Sequence, residues 1–367
     1  MREPVEVDRP DRSAVRIGAL VPLTRPGWAE AGRHLLAGLE LAVRDVNEAG
    51  GIAGRSLELV VRDTAADPQR AAAAVDALDR LGVAALAGEY HSVVARTAAA
   101  RADALGVPFL CSSAVLDALT EHPTDWVARL APPQSRGWQL YADFLLGSGH
   151  GRIAVAAQPS VYWASGTRIL REYVTARGGS VVELDMAALT PLAVCEKLVE
   201  CEATVLLLLV GHPDPAVPVV QAVRGDQRLA DILIGAPAGQ PELSDWKALL
   251  GSEGTAIPFL RYLPEHLTPL GTRVEEALVE RLAQAPSFVA FEGYDTVTVL
   301  ADMLRTHGVD RRHIAAAWPR VAVEGTRGLI QFSRTPGISV WQWGGTPIQV
   351  ADRDPAELDR FRILHAS

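Results

Sequence analysis

The chain has 367 residues, 49% of them hydrophobic and 22% charged, the composition of an ordinary globular protein long enough for about two domains. A net charge of −9, with Lys and Arg unclustered, argues against a nucleic-acid surface. The longest apolar run, Ala203 to Val210, is strand-sized and far short of the ~20 residues of a membrane span. The opening MREPVEVDRPDRSAVR is charged and has no apolar leader core. The expected location is therefore extracytoplasmic if a leader was removed, and cytoplasmic if Met1 is the native start. Cys111, Cys195 and Cys201 lack metal spacing and read as free thiols, the last two close enough to be neighbours.

Val15 to Pro22 reads as a strand and Thr24 to Trp28 as the loop at its carboxyl end. Leu35, Leu36, Leu39, Val43 and Val46 mark the apolar stripe of one long helix, closed by Gly50 to Gly54. Those glycines follow a helix and precede the strand Leu57 to Val61, so they are a C-cap and turn and not a phosphate loop. Asp67 and Pro68 suit the N-cap and N1 positions of a helix reaching Leu81.

The stretch Val83 to Val115 organises the rest. A strand, Val83 to Ala87, ends at Gly88-Glu89-Tyr90-His91-Ser92; an Ala-rich helix runs to about Leu105; a second strand ends in Cys111-Ser112-Ser113. Ligands of open α/β sheets sit beyond the carboxyl ends of strands, where helix N-termini offer free N–H groups. Ser92 is expected to cap the helix and offer its hydroxyl outward.

Trp126 to Leu130 reads as a further strand and Trp138 to Leu146 as a helix after Pro132-Pro133. A second α/β series starts at Arg152: strands Ile153 to Ala156, Val181 to Leu184, Thr204 to Val210 and Ile232 to Ile234, with helices between. The loops carrying Tyr162, His212 and Gly235 to Gly239 fall at carboxyl ends. After the strand Ala256 to Leu260 come helices Gly271 to Ala283, Phe288 to Thr306 and Asp310 to Trp318. The hairpin-like strands Gly328 to Phe332, Ser339 to Trp343 and Ile348 to Val350 follow.

In this order of elements, IGALVPLT (Ile17 to Thr24), GLELAVRDVNEAGGIAGRSLELVVRDTAADPQRA (Gly38 to Ala71), GEYHS (Gly88 to Ser92), VPFLCSS (Val107 to Ser113) and FEGYDTVTVLADML (Phe291 to Leu304) resemble the type I periplasmic ligand-binding proteins, the leucine/isoleucine/valine-binding class. SVYWASGTRILREYVTARGGSV (Ser160 to Val181) resembles the urea- and amide-binding branch. The resemblance spans nearly the whole chain. It implies two three-layer αβα lobes joined by crossing strands: residues 15–119 with 254–325, and residues 120–253 with 326–350. Residues 1–14 and 351–367 would be tails.

The resemblance also implies a site. Ser92 matches the position whose hydroxyl and N–H hold a carboxylate or amide oxygen, with plain helix capping as the alternative. Tyr90 and His91 stand in the same turn, Tyr90 matching a ring that lines the amide pocket. Ser112, Ser113 and Ala114 match the second strand end, with Val115 as the alternative for the hydroxyl position. Tyr162 matches a ring closing from the second lobe. His212 and Trp28 match further loop contacts, a satisfied core histidine and a packing tryptophan being the alternatives. Amino-acid binders of this class carry an acid after the strand Ile232 to Ile234, for the α-ammonium. Here Pro237 and Ala238 stand near that position and Glu242 is displaced, which leaves an ammonium without a partner.

These features point to a non-catalytic solute-binding protein that captures a small polar metabolite (amino acid, amide, urea-like molecule or small carboxylate) for an ABC permease. It would need no cofactor or metal and act as a monomer or homodimer. A cytosolic sensor acting on a partner protein is the alternative. A hydrolase is weakest, because no G-x-S-x-G elbow or H-E-x-x-H motif is present, and adjacent His91 and Ser92 do not converge on one point.

Overall fold

The structure, a computed structural model, describes residues 14–366. The expected tail at residues 1–14 lies outside it except for Ala14. β1 (Val15–Val21), α1 (Ala29–Glu48), β2 (Leu57–Asp63), α2 (Pro68–Arg80), β3 (Ala85–Gly88), α3 (Ser92–Leu105), β4 (Phe109–Cys111) and β5 (Val127–Arg129) form a first α/β series. A second comprises α4 (Gln134–Gly147), β6 (Arg152–Ala157), α5 (Val161–Thr175), β7 (Ser180–Asp185), α6 (Pro191–Glu200), β8 (Val205–Leu209), α7 (Ala216–Gly225), β9 (Leu233–Gly235) and α8 (Ser244–Leu250). Then follow β10 (Phe259–Arg261), α9 (Pro269–Leu282), α10 (Phe288–His307), α11 (Arg311–Ala315), β11 (Val323–Gly325), β12 (Gly328–Ile330), β13 (Phe332–Ser333), β14 (Trp341–Trp343), β15 (Gln349–Arg353) and β16 (Phe361–Ala366). None of the described helices is long and apolar enough to cross a membrane.

Local chemistry explains the element ends. Asp67 accepts from the Arg70 N–H and Pro68 occupies the first turn of α2, as the sequence predicts. β3, β8 and β1 beyond Arg16 are apolar on both faces because helices cover both sides of their sheets.

Two bodies result. The first sheet has the order β13-β14-β5-β4-β3-β1-β2 and the second β7-β6-β8-β9. The second is wholly parallel; in the first only the β13–β14 pair is antiparallel. Strand order reverses between β1 and β3 in one and between β6 and β8 in the other, and crevices open at such reversals, beyond the strands' carboxyl ends. The chain passes between the bodies near residues 130–133, 262–268 and 344–348.

The expected lobe boundaries need correction. The strand at Trp126 to Leu130 and the strands at 332–333 and 341–343 belong to the first sheet, not to the second lobe. The expected tail at 351–367 carries the end of β15 and all of β16, which with β10 form a three-stranded antiparallel sheet. That sheet is tied to the second body by Arg353, whose guanidinium donates to the carbonyls of Pro241, Glu242 and Leu243. All three cysteines are free; Cys111 and Cys195 are buried and Cys201 is half-buried.

Candidate ligand-binding cleft

A cavity of about 520 Å³ lies between the two strand-order reversals. From the first body it takes Trp28 after β1, Tyr90, His91 and Ser92 after β3, and Ser113 and Val115 after β4. From the second it takes Gln158, Ser160, Tyr162 and Trp163 after β6, Gly211 after β8 and Ala238 after β9. Leu260, Tyr262 and Phe288 close it from the crossing segment and the start of α10. Ser92 and Tyr162 thus face one cavity from opposite bodies, the arrangement on which the two-lobe reading depends.

The turn after β3 is built for this position. Gly88 has φ +108, and a Cβ there would stand 2.3 Å from the Leu20 carbonyl oxygen, so β3 can end beside β1 only with glycine. Glu89 follows at φ +52, a left-handed conformation unfavourable for a residue with a side chain. Its carboxylate folds back to accept from the N–H groups of Tyr90 (3.0 Å) and His91 (2.9 Å) and from the Thr64 hydroxyl (2.8 Å). These bonds fix the turn. Burial pushes the Glu89 carboxyl up to about 7, against the pull of its hydrogen bonds.

Ser92 departs from the capping expectation. It is the first residue of α3 and His91 is the N-cap, without a side-chain capping bond. The Ser92 Oγ instead accepts from the N–H groups of Val115 (3.1 Å) and Leu116 (3.2 Å). With both lone pairs engaged, its O–H is left to donate into the cavity. His91 is fixed in a similar way. Its Nε2 accepts from the Trp28 N–H at 3.1 Å, which places the ring proton on Nδ1. Burial pushes His91 down to about 4, so the imidazole is neutral.

Aromatic rings make much of the remaining wall. Tyr90 lies 5.8 Å from Trp28, and Tyr162 stands 4.7 Å from Trp163 and edge-on to buried Trp138 at 6.1 Å. Gln134 Nε2 donates to the Tyr162 carbonyl, and Tyr162 N–H donates to Ser160 Oγ. Burial raises the hydroxyls of Tyr90, Tyr162 and Tyr262, keeping them protonated.

Trp28, Tyr90, His91, Ser92, Ser113 and Tyr162 therefore meet at the cavity, while three expected residues do not. Ser112 and Ala114 are fully buried behind it, and Val115 takes the wall position. His212 turns into the second body, its Nε2 2.8 Å from Asp245 Oδ1 and its ring 5.6 Å from Trp246; only the neighbouring Gly211 reaches the cavity. Leu260 in β10, Tyr262 in the crossing segment after it and Phe288 at the start of α10 are absent from the sequence-based expectation because nothing local marks these positions as facing the cleft.

The displaced acid is accounted for as well. Ala238 lines the wall, whereas Glu242 is ion-paired to Arg261 (3.1 Å) and accepts from the Phe288 N–H (3.0 Å). Among the described residues no Asp, Glu, Lys or Arg lines the cavity.

The family model of the periplasmic binding proteins matches residues 14–340. The chain belongs to that family. The leucine-binding protein of Thermotoga maritima shares the fold of this binding protein at a TM-score of 0.82 and 20% identity, over 96% of this chain and 98% of that one. A Rhodopseudomonas palustris solute-binding protein in complex with benzoate aligns at 0.79 and 18% identity, over 96% of each. A Leu/Ile/Val-binding protein homolog of Brucella abortus is 32% identical over 118 residues, which span 32% of this chain and only 29% of that protein's length.

Proposed function

We propose that the protein is an extracytoplasmic solute-binding component of an ABC importer, and that it closes on a small molecule with one carbonyl-type polar end, carboxylate or amide, and an apolar, preferably planar body. The observation that carries this reading is the wall chemistry. Neutral donors, the Ser92 hydroxyl, the His91 imidazole and the N-terminus of the 14-residue α3, stand on the first body's side, and the remaining wall mixes the rings of Trp28, Tyr90, Tyr162, Trp163, Tyr262 and Phe288 with aliphatic side chains and the neutral polar Gln158 and Ser160. Oriented neutral donors at a helix start suit a carbonyl or carboxylate oxygen. An α-ammonium would enter with no carboxylate in the wall to meet it, at a large desolvation cost. The benzoate in the Rhodopseudomonas relative supports a planar body.

Delivery to a permease and an extracytoplasmic location are supported by family membership. A non-catalytic role is supported by His91 and Ser92, whose side chains hydrogen-bond to separate backbone groups and not to each other. Isothermal titration of benzoate, benzamide and leucine tests the reading, with intrinsic tryptophan fluorescence as a second readout through Trp28 and Trp163. Benzoate or benzamide is expected to bind and leucine to bind at least about tenfold more weakly. Tighter binding of leucine than of either aromatic compound overturns the ligand class.

A further inference from the structure

One buried acid, Glu292, stands outside the cavity lining. Phe288, at the start of α10, lines the cavity, and Glu292 lies four residues on, on the same face of the helix. Glu292 is 0% exposed. Its Oε1 stands 3.3 Å from Arg327 Nη1, while Oε2 has no hydrogen-bond partner among the described residues. Arg327 is shared with Asp295, which approaches its Nε to 2.9 Å, so the guanidinium does not neutralise Glu292 alone. Ser113 stands beside the Glu292 carboxyl and holds it partly down, and Tyr90 and Tyr262 feel its charge; all three line the cavity. Glu292 therefore occupies the layer directly behind the wall where Ser113, Tyr90, Tyr262 and Phe288 meet. Its charge also reaches buried Cys111.

We propose that Glu292 is a specificity-determining positioning residue, which draws the Ser113 hydroxyl proton toward itself so that Ser113 presents a lone pair to the ligand. The inference rests on the cleft being the ligand site. Ser113 donates to Ser112 Oγ at 3.1 Å in this structure, and a hydroxyl rotates at little cost toward a neighbouring carboxylate. Ser92 and Ser113 follow paired strands, β3 and β4, whose ends align at Gly88 and Cys111. A ligand would then meet a donor at Ser92 and an acceptor at Ser113. That pair complements the C=O and N–H of a primary carboxamide, and it sets Ser113 and the negative charge behind it against the second oxygen of a carboxylate. Burial pushes Glu292 up to about 7, so the discrimination strengthens as pH rises through neutrality and the carboxyl ionises.

The test measures binding of benzamide and of benzoate to the intact protein from pH 5.5 to 8.5, for wild type, Glu292→Gln and Ser113→Ala. In wild type the benzoate Kd is expected to rise about tenfold across the range while the benzamide Kd stays within about twofold. Glu292→Gln, isosteric and neutral, should flatten the benzoate profile, and Ser113→Ala should weaken benzamide more than benzoate. Persistence of the benzoate slope in Glu292→Gln overturns the proposal and points to another buried acid near the cleft, first of all Glu89, whose carboxyl burial also pushes up to about 7. Equal loss of both ligands at every pH in Glu292→Gln also overturns it, as the mark of a merely structural role. Failure of both probes to bind wild type removes the cleft reading itself, and the inference with it.

Discussion

Ser92 joins two tasks in one oxygen. Its lone pairs satisfy the N–H groups of Val115 and Leu116, and its proton is left for a ligand. Ser92→Ala should therefore destabilise the ligand-free protein by about 1–3 kcal/mol, because two buried donors lose their acceptor. It should also weaken binding at least about tenfold. Urea denaturation of the free protein and titration calorimetry read the two effects separately; unchanged stability would show that those N–H groups find other partners. His91 carries a pH dependence. Its folded-state value is depressed to about 4 from an ordinary 6.5, so acidification protonates the unfolded chain first. Its contribution to stability is unchanged above pH 6.5 and falls as pH drops from 6.5 toward 4. His91→Gln, which retains an acceptor for the Trp28 N–H, should lose less stability over that acid limb than wild type does. Parallel melting curves at pH 7 and pH 5 check this, and an identical acid limb in both proteins would contradict the assignment.

Among the elements, α1 and α10 set the floor of the first body by meeting backbone to backbone. A Cβ on Gly38 would lie 1.9 Å from the Ala290 carbonyl oxygen, and one on Gly293 would lie 2.4 Å from that of Leu35. No side chain can retreat to relieve either contact. Gly38→Ala should cost about 1–3 kcal/mol or more, read as a lowered melting temperature, and should also weaken ligand binding, since α10 carries Phe288 and Glu292. An unchanged melting temperature would mean that the helices separate freely. The same helices show what the sequence conveys. Apolar periodicity revealed α10 almost to its ends and α1 from Leu35 onward, and Asp67-Pro68 marked the start of α2, because these signals are local. Strand partnership is not local. β5, β13 and β14 are two or three residues long, and only their hydrogen bonds to one another and to β4 place them in the first sheet. The cleft divides along the same line. Tyr90, Ser92 and Tyr162 follow strands whose ends can be read in sequence, whereas Tyr262 reaches the cavity from the crossing segment and Phe288 from the start of α10, placements that only the tertiary path of the chain decides. His212 also follows a strand end, but Asp245, 33 positions away, draws its ring out of the cleft.

For the molecule as a whole, capture depends on how strongly the two bodies prefer to be together before ligand arrives. One contact across the cleft bears on that preference without touching the cavity. Glu30 on α1 accepts from the Ser244 N–H at the start of α8 (2.8 Å), bringing a charged acceptor of the first body onto a free backbone donor of the second. Gln284 Nε2 approaches the same Glu30 oxygen at 3.5 Å, and Asp245, next to Ser244, lies in the field of Arg25 from the loop after β1. A contact present only when the bodies are apposed shifts the closed population, and ligand affinity scales with that population even though no ligand atom is involved. Glu30→Ala should therefore raise the Kd of any cleft ligand by about threefold to tenfold, a modest effect because Glu30 is only partly buried. Small-angle X-ray scattering should show a larger radius of gyration for the ligand-free variant than for wild type, and the same radius for both at saturating ligand. Equal radii in the free state, with an unchanged Kd, would mean that the bodies are held by the crossing strands alone and that Glu30 contributes nothing to closure.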